Sequence, residues 1–213
     1  MKKIIATAIA LVFIGTSGGY SIDAAGSAFG NLSTAQPVGA GKANFMGGVG
    51  IADATSFFGA LTYGLSTYMD GRLKLGLIDA DGADTKFTIG ADMKWQIWNY
   101  QPNGKYPFDM AIGGLFEYVD YDAVSVLQLG TFALGSYPVA LRSGGTLSPY
   151  ARVGIRLESI SVDLPVGDDS DSNLEFGFHG GVSWAPSKAT TLYGEFQLDG
   201  NDGVFFGIDF NVM

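Results

Sequence analysis

The chain has 213 residues, a formal net charge of −9 and no cysteine, and 47% of its residues are hydrophobic. This length fits a single domain, and the lack of thiols excludes disulfides, cysteine chemistry and a lipid anchor attached through cysteine. The negative net charge argues against nucleic acid as a partner, because phosphate backbones are bound by basic surfaces.

The N-terminus has the pattern of a secretory signal peptide. Two lysines open the chain, an apolar stretch covers residues 4–14, and small residues follow it. The apolar stretch is shorter than the roughly 20 residues that a membrane-spanning helix needs. The small residues predict cleavage after Gly26, and cleavage after Ala28 fits the same rule. Residues 1–26 are therefore predicted to be a signal peptide for export.

The segment that follows has no sustained periodicity. Residues 27–41 contain Gly, Pro and Asn residues that interrupt regular structure. We interpret this segment as a short N-terminal tail, either mobile or folded as a plug. Beyond it, residues 42–213 continue without a linker and are predicted to form one domain.

Alternating stretches in this domain predict about ten β-strands. In residues 86–98 every second side chain from Phe87 to Ile97 is apolar, and most of the side chains between them are polar. A tilted strand of about 10 such residues is long enough to cross the hydrocarbon of a bilayer. The other predicted strands, in chain order, lie within residues 42–51, 57–65, 72–77, 108–118, 124–141, 147–161, 174–184, 192–198 and 204–212.

Turn residues rich in Asp and Gly separate these strands, as hairpins require. An even number of strands would place both ends of the chain on the periplasmic side. In that orientation, residues 79–84 and the acidic loop at 163–172 would lie outside the cell. The loop at 99–107 would then be periplasmic.

The polar face of the predicted sheet carries many charges, and this favours a water-filled or polar lumen surrounded by lipid. A soluble barrel would instead keep its apolar side chains inside. We therefore predict an all-β fold, an antiparallel up-and-down transmembrane β-barrel. A soluble, secreted two-sheet sandwich with a binding role is the alternative, since its strands also alternate. The lumen-facing candidates are Arg152, Arg156, Glu158, Glu175, His179 and Glu195.

Two motifs close the chain. Trp-Ala-Pro-Ser-Lys at residues 184–188 precedes Leu-Tyr-Gly-Glu-Phe at 192–196, and Phe-Gly-Ile-Asp-Phe-Asn-Val-Met forms residues 206–213. With the strand pattern, they resemble the penultimate hairpin and the C-terminal assembly signal of small outer-membrane barrels from Gram-negative-type bacteria, the OmpA-like and OmpX-like class. Those proteins usually end on an aromatic residue, whereas this chain ends on Met213. The resemblance implies location in the bacterial outer membrane, with outer-membrane lipid and the insertion machinery as partners.

The single histidine, His179, has two possible roles, one catalytic and one structural. A hydrolase or lipid-modifying enzyme at the barrel rim would need His179, but this residue lies in mid-strand and faces the predicted lumen. A hydrogen bond to a carboxylate such as Glu175 or Glu195 is the simpler interpretation. The acidic stretches at 79–84 and 168–171 lack the ligand spacing of an EF-hand loop. We predict no enzyme, no catalytic residue, no metal site and no cofactor.

The predicted function is a structural or interaction barrel, or a narrow porin-like channel of low conductance. Charges on the lumen face can either line a water path or pair across a closed lumen. Because a barrel of about ten strands has a narrow bore, pairing is expected. The physiological partner is left open by the sequence.

Overall fold

The computed structural model of the chain describes residues 26–80, 85–102, 104–120, 124–142, 144–162 and 169–212. Most of the predicted signal peptide, the acidic residues at 81–84 and 163–168, and Met213 lie outside the described residues. The strands are β1 (Ala43–Ala52), β2 (Ala54–Gly64), β3 (Met69–Ala80), β4 (Lys86–Trp98), β5 (Asp109–Asp120), β6 (Val124–Ser136), β7 (Val139–Ala140), β8 (Thr146–Val162), β9 (Asp169–Ala185), β10 (Thr190–Leu198) and β11 (Gly203–Asn211). No helix long and apolar enough to cross a membrane occurs in the part of the chain that the structure describes.

Ten of these strands form a closed antiparallel ring. Consecutive strands pair from β1 to β6, β6 pairs with β8, and β8 to β11 continue in order. β11 returns to β1, with Asn44 opposite Asn211 and Ala52 opposite Gly203. The predicted antiparallel barrel of about ten strands is thus confirmed, and the two-sheet sandwich is wrong because a single sheet closes on itself.

Several strands are longer than predicted, for example β3, which extends from Met69 to Ala80 around the predicted 72–77. Two further differences concern the region before β8 and the acidic loop. The stretch at 124–141 is divided, because β6 ends at Ser136 and the two-residue β7 begins after Pro138. Proline has no backbone donor for a sheet ladder, which explains the break. The acidic loop at 163–172 is also shorter than predicted, since β9 already pairs with β8 at Ser170.

The side chains alternate between the two faces of the barrel wall. In β4, Met93 and Trp95 are 52% and 55% exposed on the outer face, whereas Lys94 and Gln96 between them are 6% and 7% exposed. The same alternation continues around the ring, so the outside is apolar and the inside is largely polar.

The N-terminal segment, residues 26–41, passes through the barrel. It begins beside Asn201 in the β10–β11 turn, and at the other end the Gly41 N–H donates to the Gly64 carbonyl at 2.8 Å. We call the end of the barrel with the start of β1 and the end of β11 the terminal rim, and the end with the β10–β11 turn the opposite rim. Phe29 in the segment is fully buried. The segment therefore crosses the lumen from one rim to the other.

A lumen closed by the N-terminal segment

Near the opposite rim, Glu117 on β5 holds the start of the segment. The Ser27 hydroxyl lies 2.9 Å from each oxygen of the Glu117 carboxylate, and the Ala28 N–H donates to it at 3.2 Å. The Ser27 N–H also donates to Asp199 at 3.3 Å. Two carboxylates thus satisfy donors of the segment that would otherwise be buried without partners.

Halfway along the lumen, Glu195 on β10 accepts two backbone hydrogen bonds from the segment. The Asn31 N–H donates at 2.6 Å and the Leu32 N–H at 2.9 Å, one to each oxygen of the carboxylate. This bidentate arrangement fixes both the position and the direction of the backbone.

Towards the terminal rim, the segment continues to use groups of the barrel wall. The Ala35 N–H donates to the Ser136 hydroxyl at 3.0 Å, and the Val38 N–H donates to Asp70 at 3.0 Å. The side chain of Gln36 donates to Asp109 at 2.9 Å. Contacts between the segment and the wall therefore extend over the full height of the barrel.

Apolar packing adds to these hydrogen bonds. The ring of Phe29 contacts Phe58 edge to face, with 5.5 Å between ring centroids. A Cβ placed on Gly90 would lie 2.8 Å from the Phe29 ring, so the lack of a side chain on β4 makes room for it. Gly30 has a φ of 63°, and a Cβ there would lie 2.9 Å from the Phe205 ring. Glycine is thus required at position 30 both by the backbone conformation and by the close approach.

The carboxylates are paired with cations of the wall in one network on β3 to β5. Lys74 lies 2.8 Å from Glu117 and 3.3 Å from Asp92, which Arg72 also binds at 2.7 Å. These side chains are 9% exposed or less. Closer to the terminal rim, Lys94 donates to the hydroxyl of Ser33 at 2.7 Å and to the carbonyl of Thr34 at 2.8 Å.

A second network lies across the lumen on β8, β9, β10 and the β10–β11 turn. Arg156 binds Asp199 at 2.8 Å and lies 3.7 Å from Glu158. His179 places Nδ1 3.1 Å from Glu195 and Nε2 3.5 Å from Asp199. Both ring nitrogens of the histidine are thus directed at carboxylates.

Of the six predicted lumen-facing residues, five are buried on the inner face, namely Arg152, Arg156, Glu158, His179 and Glu195. The structure gathers them around the N-terminal segment. Glu175 is half-buried opposite Arg156 in the β8–β9 register, outside the two networks. Arg152 lies with its guanidinium 4.3 Å from the centre of the Phe132 ring and 3.5 Å from the side-chain oxygen of Asn31.

Sequence reasoning missed two parts of this site. Asp70 lies outside the predicted strand at 72–77, although it continues the inward alternation of Arg72 and Lys74 and could have been found from that alternation. The partners in the N-terminal segment, such as Ser27 and Asn31, carry no periodic signal. Their role depends on where the barrel wall places its carboxylates.

Little free space is left beside the segment near the opposite rim. A cavity of about 20 Å³ lies there, lined by Ser27, Gln128, Arg152, Arg156, His179 and Asp199 among others. This volume is close to what one water molecule needs. Within the described part of the chain, no group of three or more His, Asp or Glu side chains is placed to hold a metal ion.

No protein-family model matches the chain, and no curated protein matches it. Among solved structures, it is similar to the N-terminal β-barrel domain of Pseudomonas aeruginosa OprF, with 12% identity, a TM-score of 0.40, and coverage of 81% of this chain and 98% of that one. It is also similar to the KdgM porin, with 7% identity, a TM-score of 0.41, and coverage of 80% and 99%. The antiparallel barrel that the sequence resemblance implied is confirmed by the strand pairing itself.

Proposed function

We propose that the protein is an outer-membrane β-barrel whose narrow pore is held closed by its own N-terminal segment. The observation that carries this proposal is the path of the segment, which runs from rim to rim and contacts Glu117, Glu195 and Asp70 on the way. In this state the barrel acts as a structural element of the membrane and conducts little or no current.

The outer face supports a location in lipid. Large apolar side chains such as Leu73, Trp95 and Phe176 are 63%, 55% and 69% exposed around the ring. A continuous apolar surface of this kind is stable in a bilayer but not in water. Since the polar groups lie inside, the distribution is the reverse of that in a soluble barrel.

Aromatic side chains at the terminal rim support the same location. Trp98 stacks on Tyr106 with 5.5 Å between centroids and contacts Phe108 edge to face, while Tyr100 and Tyr137 pair at 5.0 Å. Tyrosine and tryptophan concentrate where a membrane meets water, because one end of the side chain is apolar and the other is polar.

The geometry gives no support to an enzyme at His179. This side chain is 3% exposed and lies under the N-terminal segment, between Glu195 and Asp199. A substrate would first have to displace the segment, and both ring nitrogens are already directed at carboxylates of the wall.

The test is planar-bilayer recording of the protein expressed from the full-length gene and of a variant in which residues 27–38 are replaced by a Gly/Ser segment of equal length. We expect rare, small currents from the unmodified protein and sustained openings from the variant. Adding a peptide with the sequence of residues 27–38 should close the variant again. Sustained large currents from the unmodified protein, or a silent variant that still migrates as a folded barrel on unboiled gels, would refute the proposal.

A further inference from the structure

We infer that the path now occupied by the N-terminal segment conducts small monovalent cations in preference to anions once the segment leaves the lumen. This inference rests on the proposed function and adds the class of solute. Three observations support the inference: the positions of the carboxylates that bind the segment, the excess of negative charge in the lumen, and the pairing of most lumen cations with the wall.

The carboxylates follow the segment in order along the lumen. Asp199 and Glu117 bind its first residues at the opposite rim, Glu195 binds its middle, and Asp70 binds its end near the terminal rim. A cation entering the vacated lumen would therefore find an acidic group at each level. The positive ends of backbone N–H dipoles now occupy the positions that such a cation would take.

The buried charges of the barrel do not balance. Seven buried carboxylates belong to Asp70, Asp109, Glu117, Glu158, Glu195, Asp199 and Asp209, and five buried cations belong to Arg72, Lys74, Lys94, Arg152 and Arg156. Asp92, whose side chain is 9% exposed, adds a further carboxylate, and His179, between Glu195 and Asp199, adds one positive charge when it is protonated. Eight carboxylates then face six cations, so the excess remains acidic. A narrow channel with an excess of one sign of charge concentrates ions of the other sign.

Most of the lumen cations are already neutralised by the wall itself. Arg72 and Lys74 bind Asp92, Lys94 lies 3.5 Å from Asp70, and Arg156 binds Asp199. Departure of the segment would leave these pairs in place. It would, however, remove both backbone donors from Glu195 and the Ser27 and Ala28 donors from Glu117. Lys94 and Arg152 would also lose contacts with the segment. Lys94 keeps Asp70 at 3.5 Å, however, and Arg152 keeps the Phe132 ring at 4.3 Å, so the exposed cations stay in contact with the wall.

The experiment measures the reversal potential of the Gly/Ser variant in a KCl gradient of about 0.1 M against about 0.01 M, where charges act over about 10–30 Å. We expect a reversal potential close to the equilibrium potential of K⁺, which indicates that K⁺ passes about tenfold more readily than Cl⁻. Tenfold is the lower end of the enrichment expected in a cleft lined by charges of one sign. A conducting variant with no preference, or with a preference for Cl⁻, would overturn the inference and leave the proposed function standing. A folded but silent variant would instead overturn the proposed function.

Two substitutions that each remove a negative charge from the lumen test whether the carboxylates cause the selectivity. In the Gly/Ser variant, Glu117→Gln and Glu195→Gln should each lower the K⁺ preference, and either one suffices if the other fails to fold. The matched control is Asp79→Asn, which removes the same charge from an exposed position on the outer face of β3. Equal effects of the control and of the lumen substitutions would contradict a path along the carboxylates.

Discussion

The carboxylate of Glu195 accepts a hydrogen bond of 2.6 Å from the backbone N–H of Asn31, a residue 164 positions earlier in the chain. This contact joins a strand near the C-terminus to a segment that precedes the first strand. Because the acceptor is an ionised side chain and the donor is backbone, the contact depends little on the identity of residue 31. It does depend on the position of the segment inside a closed ring.

The first prediction concerns this carboxylate in the unmodified protein. Glu195→Leu leaves the Asn31 and Leu32 N–H groups buried without their acceptor, which costs about 1–3 kcal/mol for each group. We expect the segment to leave the lumen more often, and planar-bilayer recording should show more frequent openings. Glu175→Leu is the matched control, since Glu175 lies outside both networks, and it should leave the recording unchanged.

The second prediction tests the close approach between Phe29 and Gly90. Gly90→Ala would place a methyl group 2.8 Å from the Phe29 ring, so the segment must shift and openings should become more frequent. Phe29→Ala in the same chain removes the clash, and the added alanine should then have little further effect. Gly114→Ala is the control on the outer face of β5, where the nearest atom lies at an ordinary 3.5 Å. Additive effects of Gly90→Ala and Phe29→Ala would show that the two positions are not coupled.

The barrel could be predicted from the sequence because its strands alternate, and alternation directly reflects the two environments of a barrel wall. Met93, Lys94 and Trp95 illustrate this pattern. The path of the N-terminal segment could not be predicted. Its contacts depend on which inward side chains come together after the ring closes, and residues 27–41 have no period that would reveal them. The division of the predicted strand at 124–141 was not predicted either, although Pro138 explains it once the pairing is known.

The third prediction concerns the sides of the membrane. The sequence placed both ends of the chain in the periplasm, but the segment before β1 leads back through the lumen to Asn201 at the opposite rim. If the terminal rim faces the periplasm, an epitope inserted directly before residue 27 should be accessible to antibody on intact cells, whereas one added after Met213 should not.

Single cysteines provide the control for this orientation, since the native chain has none. Asp202→Cys at the opposite rim should react with an impermeant maleimide on intact cells, and Ser187→Cys at the terminal rim should react only after lysis. Labelling of both epitopes from outside would show that the segment does not cross the barrel in the membrane.

The fourth prediction uses pH. Burial alone would raise the pKa of Asp199, but the hydrogen bond from His179 and the charge of Arg156 outweigh it, so this pKa lies below its ordinary value of 3.8. Because the folded-state pKa is lowered, the stabilisation by Asp199 is complete above about pH 4 and disappears as the pH falls through the folded value. Denaturant titrations between about pH 6 and pH 2 should show this loss, and Asp199→Asn should remove that part of the pH dependence. An unchanged profile in the variant would contradict the assignment.

The last prediction concerns the lipid-facing side of the wall. Ile89 is 39% exposed on the outer face and pairs with Leu75 in the middle of β3, so it should lie near the centre of the bilayer. Ile89→Arg places a charge where lipid cannot solvate it and should cost about 2–4 kcal/mol of folding free energy. Ile89→Leu keeps the apolar character and should cost little.

The neighbouring inward residue, Thr88, cannot serve as a control position for arginine. It is fully buried, and its hydroxyl donates to the Tyr118 carbonyl at 3.2 Å. Refolding titrations into lipid vesicles measure both variants, and equal losses for arginine and leucine would mean that Ile89 does not face the bilayer.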